Sequence, residues 1–130
     1  MPNTVSDYFT DELLEWNESI SFYSGEIKSF TLKFSEVLRR NSILGIAEKV
    51  ESHQLRLNQV LDKFTRLKKQ IREQEKSLEP SSVDLLDDDK ISREIEKKQV
   101  DIRISMQSVE KEYIAIKYEC YHFLAGVIKK

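Results

Sequence analysis

LLEWNESISFYSGEIKSFTLKFSEV, residues 13–37, is the stretch that decides the fold. Its large apolar residues recur at alternating spacings of three and four positions. They are Leu13, Trp16, Ile20, Tyr23, Ile27, Phe30, Phe34 and Val37. This spacing is the a/d heptad pattern of a long helix packed lengthwise against partner helices. We therefore expect the rest of the chain to supply helices that cover this stripe.

Two further stripes with the same spacing follow. The second consists of Ile43, Ile46, Val50, His53, Leu57, Val60, Phe64, Leu67, Ile71 and Leu78, with Gln74 in a polar slot. The third consists of Ile91, Ile95, Ile102, Met106, Val109, Tyr113, Ile116, Cys120, Phe123 and Val127, with Lys98 in a charged slot. Two successive gaps of four around Lys98, Ile102 and Met106 predict a local unwinding of the supercoil.

The three stripes predict a single all-α domain over residues 1–130, an antiparallel up-down-up three-helix bundle that dimerises. The expected helices span about 10–40, 43–79 and 87–128, after a flexible arm at 1–9. Thr10 and Ser42 are the expected N-caps, and Pro80 breaks the second helix. An alternative remains open, in which the third helix packs in a second chain by exchange.

Composition narrows the functional classes. The chain has 130 residues, of which 34% are charged, with 3 Gly and 2 Pro, a balance typical of helix-rich proteins. The net charge of −2 favours neither nucleic acid nor an anionic membrane as a partner. The start lacks the basic and apolar segments of a secretory signal, and no stretch approaches the ~20 apolar residues that span a bilayer. We expect a cytoplasmic protein.

A basic run in the second helix invites a nucleic-acid interpretation. It consists of Lys63, Arg66, Lys68, Lys69, Arg72 and Lys76. In an antiparallel hairpin, however, the first-helix acids Glu12, Glu15 and Glu18 should face the region from Lys68 to Ile71. Interhelical ion pairing then explains the run, and base-stacking aromatic residues are absent from it. We predict no nucleic-acid partner.

One pair of residues has the spacing of a metal site. Glu119 and His122 form the Glu-x-x-His motif that di-metal carboxylate bundles use, but such a site needs a second copy and two more carboxylates. We expect His53 to face Ile114, about eight residues or ~12 Å from His122. The sequence therefore predicts no metal or other cofactor, with Glu119 and His122 as the candidates if one exists.

The sequence offers no catalytic residues. It contains no glycine-rich phosphate loop and no nucleophile elbow, and ionisable groups do not cluster around any Ser, Thr or Cys. The single cysteine, Cys120, lies on the third stripe and is expected to be a buried small hydrophobe. His53, on the second stripe, is expected to be a hydrogen-bonded core histidine or a polar layer. We predict that the protein is not an enzyme.

The third helix carries a second apolar stripe on its other side. It consists of Val100, Ile104, Ile114, Tyr118, Tyr121, Ala125 and Ile128, with Gln107 and Lys111 in polar slots. One three-helix core covers only one broad stripe per helix, so this one would be exposed in a monomer. Monomers rarely expose a large apolar patch. We therefore predict a two-fold dimer whose interface contains Ile114, Tyr118, Tyr121, Ala125 and Ile128.

A spaced pattern in the first half resembles a known family. The pattern consists of Trp16-Asn17-Glu18, Phe22-Tyr23, residues 26–30 (EIKSF), Asn41, Val50-Glu51 and Gln54. It is similar to that of short, all-helical bacterial proteins without an assigned function, over about residues 13–71. The family has Lys-Asp where this chain has Ser24-Gly25, and a histidine where it has Ser52. The resemblance implies a cytoplasmic helical protein and no particular activity.

Taken together, the residues favour a non-enzymatic helical module for protein–protein interaction or scaffolding, acting as a homodimer with an unidentified protein partner. The alternative is a metal- or ligand-binding bundle that resembles the di-iron carboxylate proteins.

Overall fold

Three long helices form the bundle. The computed structural model describes residues 5–41, 43–79 and 88–128, and within them the chain forms α1 (Val5–Arg40), α2 (Ile46–Ser77) and α3 (Asp88–Ile128) without any strand. The amide of Asn17, early in α1, donates a hydrogen bond to Glu75, late in α2, so these helices are antiparallel. Glu12 pairs with Arg103 and Glu26 with Lys117, so α1 and α3 are parallel. The all-α three-helix architecture is confirmed.

The first helix begins earlier than the sequence pattern predicts. The expected arm at 1–9 and N-cap at Thr10 are wrong over the described part, because α1 begins at Val5. Thr10 lies inside the helix, where its hydroxyl donates to the carbonyl of Ser6 at 2.9 Å. Phe9 is buried four positions before Leu13, so the apolar stripe itself extends one turn further back and stabilises the added turn.

The link between α1 and α2 is longer than predicted. The second helix begins at Ile46 rather than near 43, and Gly45 precedes it with a φ of 87°. Glycine adopts this left-handed conformation without the steric cost that a Cβ imposes. Ile43, expected on the buried stripe, lies in the link and is largely exposed, as is Leu44. The N-cap predicted at Ser42 and the break at Pro80 lie outside the described residues.

The core follows the three predicted stripes closely. Its buried apolar residues are Phe9, Leu13, Ile20, Ile27, Phe30, Phe34, Val37, Ile46, Val50, Leu57, Val60, Phe64, Leu67, Ile71, Leu78, Ile102, Met106, Val109, Tyr113, Ile116, Cys120 and Leu124. One aromatic layer joins all three helices, because the ring of Phe64 lies 5.5 Å from that of Tyr23 and 5.9 Å from that of Tyr113. Most of the stabilisation of helices this long comes from burial of such a stripe.

One slot of the third stripe is filled by a different residue. The sequence pattern places Lys98 there, but Lys98 is exposed and Gln99 is fully buried. A primary amide can be satisfied inside the core by neutral hydrogen bonds, whereas a buried ammonium group carries a large desolvation cost. With Gln99 in the slot, the spacing through Ile95, Gln99, Ile102 and Met106 alternates four, three, four. The two successive gaps of four on which the predicted unwinding is based therefore do not occur at Lys98, Ile102 and Met106.

Candidate functional site

The metal candidates do not form a site. The guanidinium of Arg56 donates to the carboxylate of Glu119 and forms an ion pair with it. His122 is exposed beside an open groove of about 290 Å³, whose other walls include Ile43 and Val127. Among residues 5–41, 43–79 and 88–128, no group of three His, Cys, Asp or Glu side chains is placed to hold a metal ion.

His53 lies in an aromatic environment at the Ile46 end of α2. The prediction that it faces Ile114 is wrong, because its ring lies 4.8 Å from that of Phe123 and stacks on Phe34 at 6.1 Å. Burial lowers the pKa of His53, and the nearby charge of Arg56 lowers it further. The buried Nδ1 atom has no hydrogen-bond partner. His53 is therefore held neutral as a core ring, while His122 points to solvent.

The most highly connected polar group is a buried layer near the other end. Gln74 and Gln99 are both 0% exposed. The Gln74 amide donates to Gln99 Oε1 at 3.0 Å and to the carbonyl of Ile95 at 2.8 Å. The Gln99 amide donates to the carbonyl of Phe9 at 3.2 Å and to Glu12 at 2.9 Å. All three helices therefore meet at this layer.

Arg103 completes the layer at the surface between α1 and α3. Its guanidinium donates two hydrogen bonds of 2.7 Å to the carboxylate of Glu12. Burial acts to raise the pKa of Glu12, but the hydrogen bonds from Arg103 and Gln99 outweigh it and lower the pKa. This bidentate geometry is the strongest form of side-chain ion pair. The sequence analysis did not predict Glu12, Gln99 and Arg103 as a group, because their contact depends on the register between α1 and α3.

A second polar group links α1 and α3 near the middle of the bundle. Glu26 accepts hydrogen bonds from the Tyr113 hydroxyl at 2.8 Å and from Lys117 Nζ at 2.8 Å. The hydroxyl of Tyr23 donates to Glu110 at 2.6 Å. Burial and this carboxylate raise the pKa of Tyr23 to about 12. These bonds hold two parallel helices together, and both phenols stay protonated near neutral pH.

Cys120 is a core residue, as the sequence predicts. It is fully buried, and burial raises the pKa of its thiol to about 11. A thiol with such a pKa is protonated near neutral pH, and the thiolate is the nucleophilic form. Cys120 therefore packs as a small apolar side chain.

The basic run of α2 has a different environment from the one predicted. Lys63 alone among its members forms an ion pair with another described residue, Glu112 of α3 at 2.8 Å. The predicted partner Glu12 is bound to Arg103 instead, and Glu15 and Glu18 are exposed on the outer face of α1. The predicted pairing of this run with the acids of α1 is therefore wrong, and the one interhelical ion pair of the run among the described residues is made to α3. The other five cations face solvent.

The second stripe of α3 faces outward along most of its length. Tyr118 is 68% exposed, Ile104 59%, Tyr121 45% and Ile114 40%, and Ala125 is exposed as well. Tyr121 is partly anchored within the chain, because its ring meets that of Phe30 edge-on at 5.0 Å. The side chain of Ile128 lies outside the described residues. The structure therefore presents an apolar face on α3, with Tyr118 as its most exposed aromatic residue.

None of the described helices is long and apolar enough to cross a bilayer. Comparison with protein-family models, curated proteins and solved structures gives no match for this chain. The resemblance of residues 13–71 to a bacterial helical family therefore stays a prediction.

Proposed function

We propose that this chain is a non-enzymatic helical module that acts by protein–protein contact and pairs with a second copy of itself. One observation carries the proposal, namely the outward apolar face of α3, formed by Ile104, Ile114, Tyr118 and Tyr121. Aromatic residues are enriched in the centres of protein interfaces, and a soluble monomer seldom exposes such a face along one helix. The proposal includes a cytoplasmic location and no nucleic-acid partner.

The composition of this face suits a two-fold contact between identical helices. Polar Gln107 and Lys111 interrupt the apolar stripe, so its most apolar part lies in the carboxy-terminal half of α3. Tyr118 offers a large apolar ring and a hydroxyl, a combination that contributes binding energy at low cost in side-chain entropy. An isologous dimer would place this half of each helix against its copy.

Light scattering with a matched pair of variants tests the proposal. At about 0.5 M salt, which screens contacts between exposed charges, we expect the wild type to be a dimer at tens of micromolar. Under the same conditions Tyr118→Glu should be a monomer because it places a charge at the interface centre. Phe22→Glu is the control, since Phe22 is 62% exposed on α1 and lies outside the proposed interface. A monomeric wild type, or a Tyr118→Glu variant that still forms the wild-type dimer, would contradict the proposal.

A further inference from the structure

The outer faces of α1 and α2 carry opposite charges that stay unpaired within the chain. Glu15 and Glu18 are exposed acids near the start of α1. Near the end of α2, the exposed cations Arg66, Lys68, Lys69, Arg72 and Lys76 outnumber the exposed acids Glu73 and Glu75. The side chains of Glu15, Glu18 and these cations make no ion pair or hydrogen bond to another described residue. By contrast, Arg56, Lys63, Arg103 and Lys117 each hold a carboxylate of a neighbouring helix. Charges of opposite sign that have no ion-pair partner among the described residues therefore lie on the outward faces of α1 and α2.

The two charged faces lie at nearly the same height along the bundle. The hydrogen bond from Asn17 to Glu75 fixes the register of the antiparallel helices α1 and α2 at this point. Glu15 and Glu18 flank Asn17 on α1 and therefore lie level with the last turn of α2, which contains Lys76. Arg72 lies one turn away on the same helix. The side chains of these four residues, Glu15, Glu18, Arg72 and Lys76, therefore lie at about the same height along the bundle axis.

Two exposed leucines, one on α1 and one on α2, also lie at the same height along the bundle, nearer to its other end. The ring of Phe34 stacks on that of His53, which fixes the register near the other end. Leu32 lies two residues before Phe34 in α1, and Leu55 lies two residues after His53 in α2. Because the two helices are antiparallel, these leucines lie at the same height along the bundle. Leu32 is 69% exposed and Leu55 57%, so neither is covered within the chain. An apolar pair thus accompanies the charged pair on the same two helices.

We propose that a second copy of this chain docks here, with α1 of each chain beside α2 of the other. A two-fold axis parallel to the bundle keeps every residue at its own height. Glu15 and Glu18 of one chain then meet Arg72 and Lys76 of the other, and Leu32 meets Leu55. Each set of contacts occurs twice because the interface is isologous. The helix-one acids and helix-two cations thus pair between chains rather than within one.

The adjoining acids favour a second copy over nucleic acid as the occupant of the basic face. A phosphate backbone would be attracted by Arg72 and Lys76 but repelled by Glu15 and Glu18 at the same height. A copy of this chain presents the opposite sign at both positions, which is the arrangement that steers and orients protein partners. The contact also differs from the proposed α3 interface, since it depends on exposed charges and is screened by salt.

Charge reversal with recombination tests this inference. One variant carries Glu15→Lys and Glu18→Lys, the other Arg72→Glu and Lys76→Glu, and both are made in a Tyr118→Glu background that removes the proposed α3 contact. By sedimentation velocity, we expect the parent Tyr118→Glu chain to associate at about 0.02 M salt and to dissociate at about 0.5 M. Each reversed variant should associate at least tenfold more weakly. An equimolar mixture of the two should regain the parent's association, because their faces are again complementary.

The control reverses two exposed acids of α3, Glu94→Lys and Asp101→Lys, and should associate like the parent chain because α3 lies outside this contact. Circular dichroism verifies that each variant is folded. The inference is overturned if the parent shows no salt-sensitive association, if either reversed variant associates like the parent, or if the mixture does not recover. Salt-sensitive binding of duplex DNA by a parent chain that does not self-associate would also overturn it, in favour of nucleic acid.

Discussion

Replacing Gln99 by leucine tests whether the buried amide layer holds the three helices together. The substitution removes three hydrogen bonds, namely those to Phe9 and Glu12 and the one accepted from Gln74. Neutral hydrogen bonds contribute ~0.5–1.5 kcal/mol each, and bonds to a charged group ~1.5–3 kcal/mol. The apolar leucine recovers about 2 kcal/mol through burial. We therefore expect the free energy of unfolding to fall by ~0.5–4 kcal/mol.

The double variant Gln74→Leu, Gln99→Leu provides the decisive comparison. In the native layer Gln74 Oε1 already lacks a partner, and removing Gln99 also takes away the acceptor of one Gln74 N–H bond. Removing both amides eliminates these unsatisfied groups together. The double variant should therefore lose at least ~1 kcal/mol less than the sum of the two single losses.

Urea unfolding followed by circular dichroism measures all four proteins of this cycle. A matched control is Ile102→Val, which reduces side-chain volume next to the layer but leaves every hydrogen bond of the layer in place. We expect this variant to lose ~0.5–1.5 kcal/mol of its free energy of unfolding. Additive losses in the double variant would refute the reasoning, because the two amides would then act independently. A Gln99→Leu variant as stable as the wild type would refute it as well.

Two further predictions concern the core and its response to pH. Phe30→Ala should lower the free energy of unfolding by ~3–5 kcal/mol in urea melts because Phe30 is buried. Phe22→Ala should lower it by less than ~1 kcal/mol because Phe22 is exposed. Equal losses would contradict the heptad assignment. The pKa of His53 is lowered in the folded state, so the stability it contributes is present above its unfolded pKa of 6.5 and is lost as the pH falls through the lower folded value. Urea melts at pH 7 and pH 5 should show this loss in the wild type and a smaller one in His53→Phe, and equal losses would count against the assignment.

The apolar stripes were predictable because heptad spacing depends only on local order along the chain. The spacing from Leu13 to Val37 fixes one face of α1 whatever the partner helices are, and the same holds for Leu57 to Ile71. The buried amide was not predictable in this way. Lys98 and Gln99 are adjacent, and apolar spacing does not distinguish them; the choice depends on the acceptor and donor groups that α1 and α2 bring to that layer.

The polar contacts were the least predictable part of the site. Which residues face each other depends on the length of each link, and the α1–α2 link extends to Gly45 rather than ending at Ser42. It also depends on which neighbouring helix each side chain faces, and Glu12 faces α3, where it meets Arg103 rather than the basic run of α2. His53 meets Phe123 rather than Ile114, so the register between α2 and α3 also differs from the one predicted. The exposure of the second apolar stripe of α3, by contrast, was predictable, because each helix of a three-helix bundle buries only one broad stripe.

The odd number of helices has a mechanical consequence. Because α1 and α3 are parallel, the start of α1 and the end of α3 lie at opposite ends of the bundle. α1 contains 36 residues, which at 1.5 Å per residue correspond to a rod of about 54 Å. Bodies bound at the two ends would be held apart at that distance by three helices that share one core. The bundle therefore has the geometry of a rigid spacer.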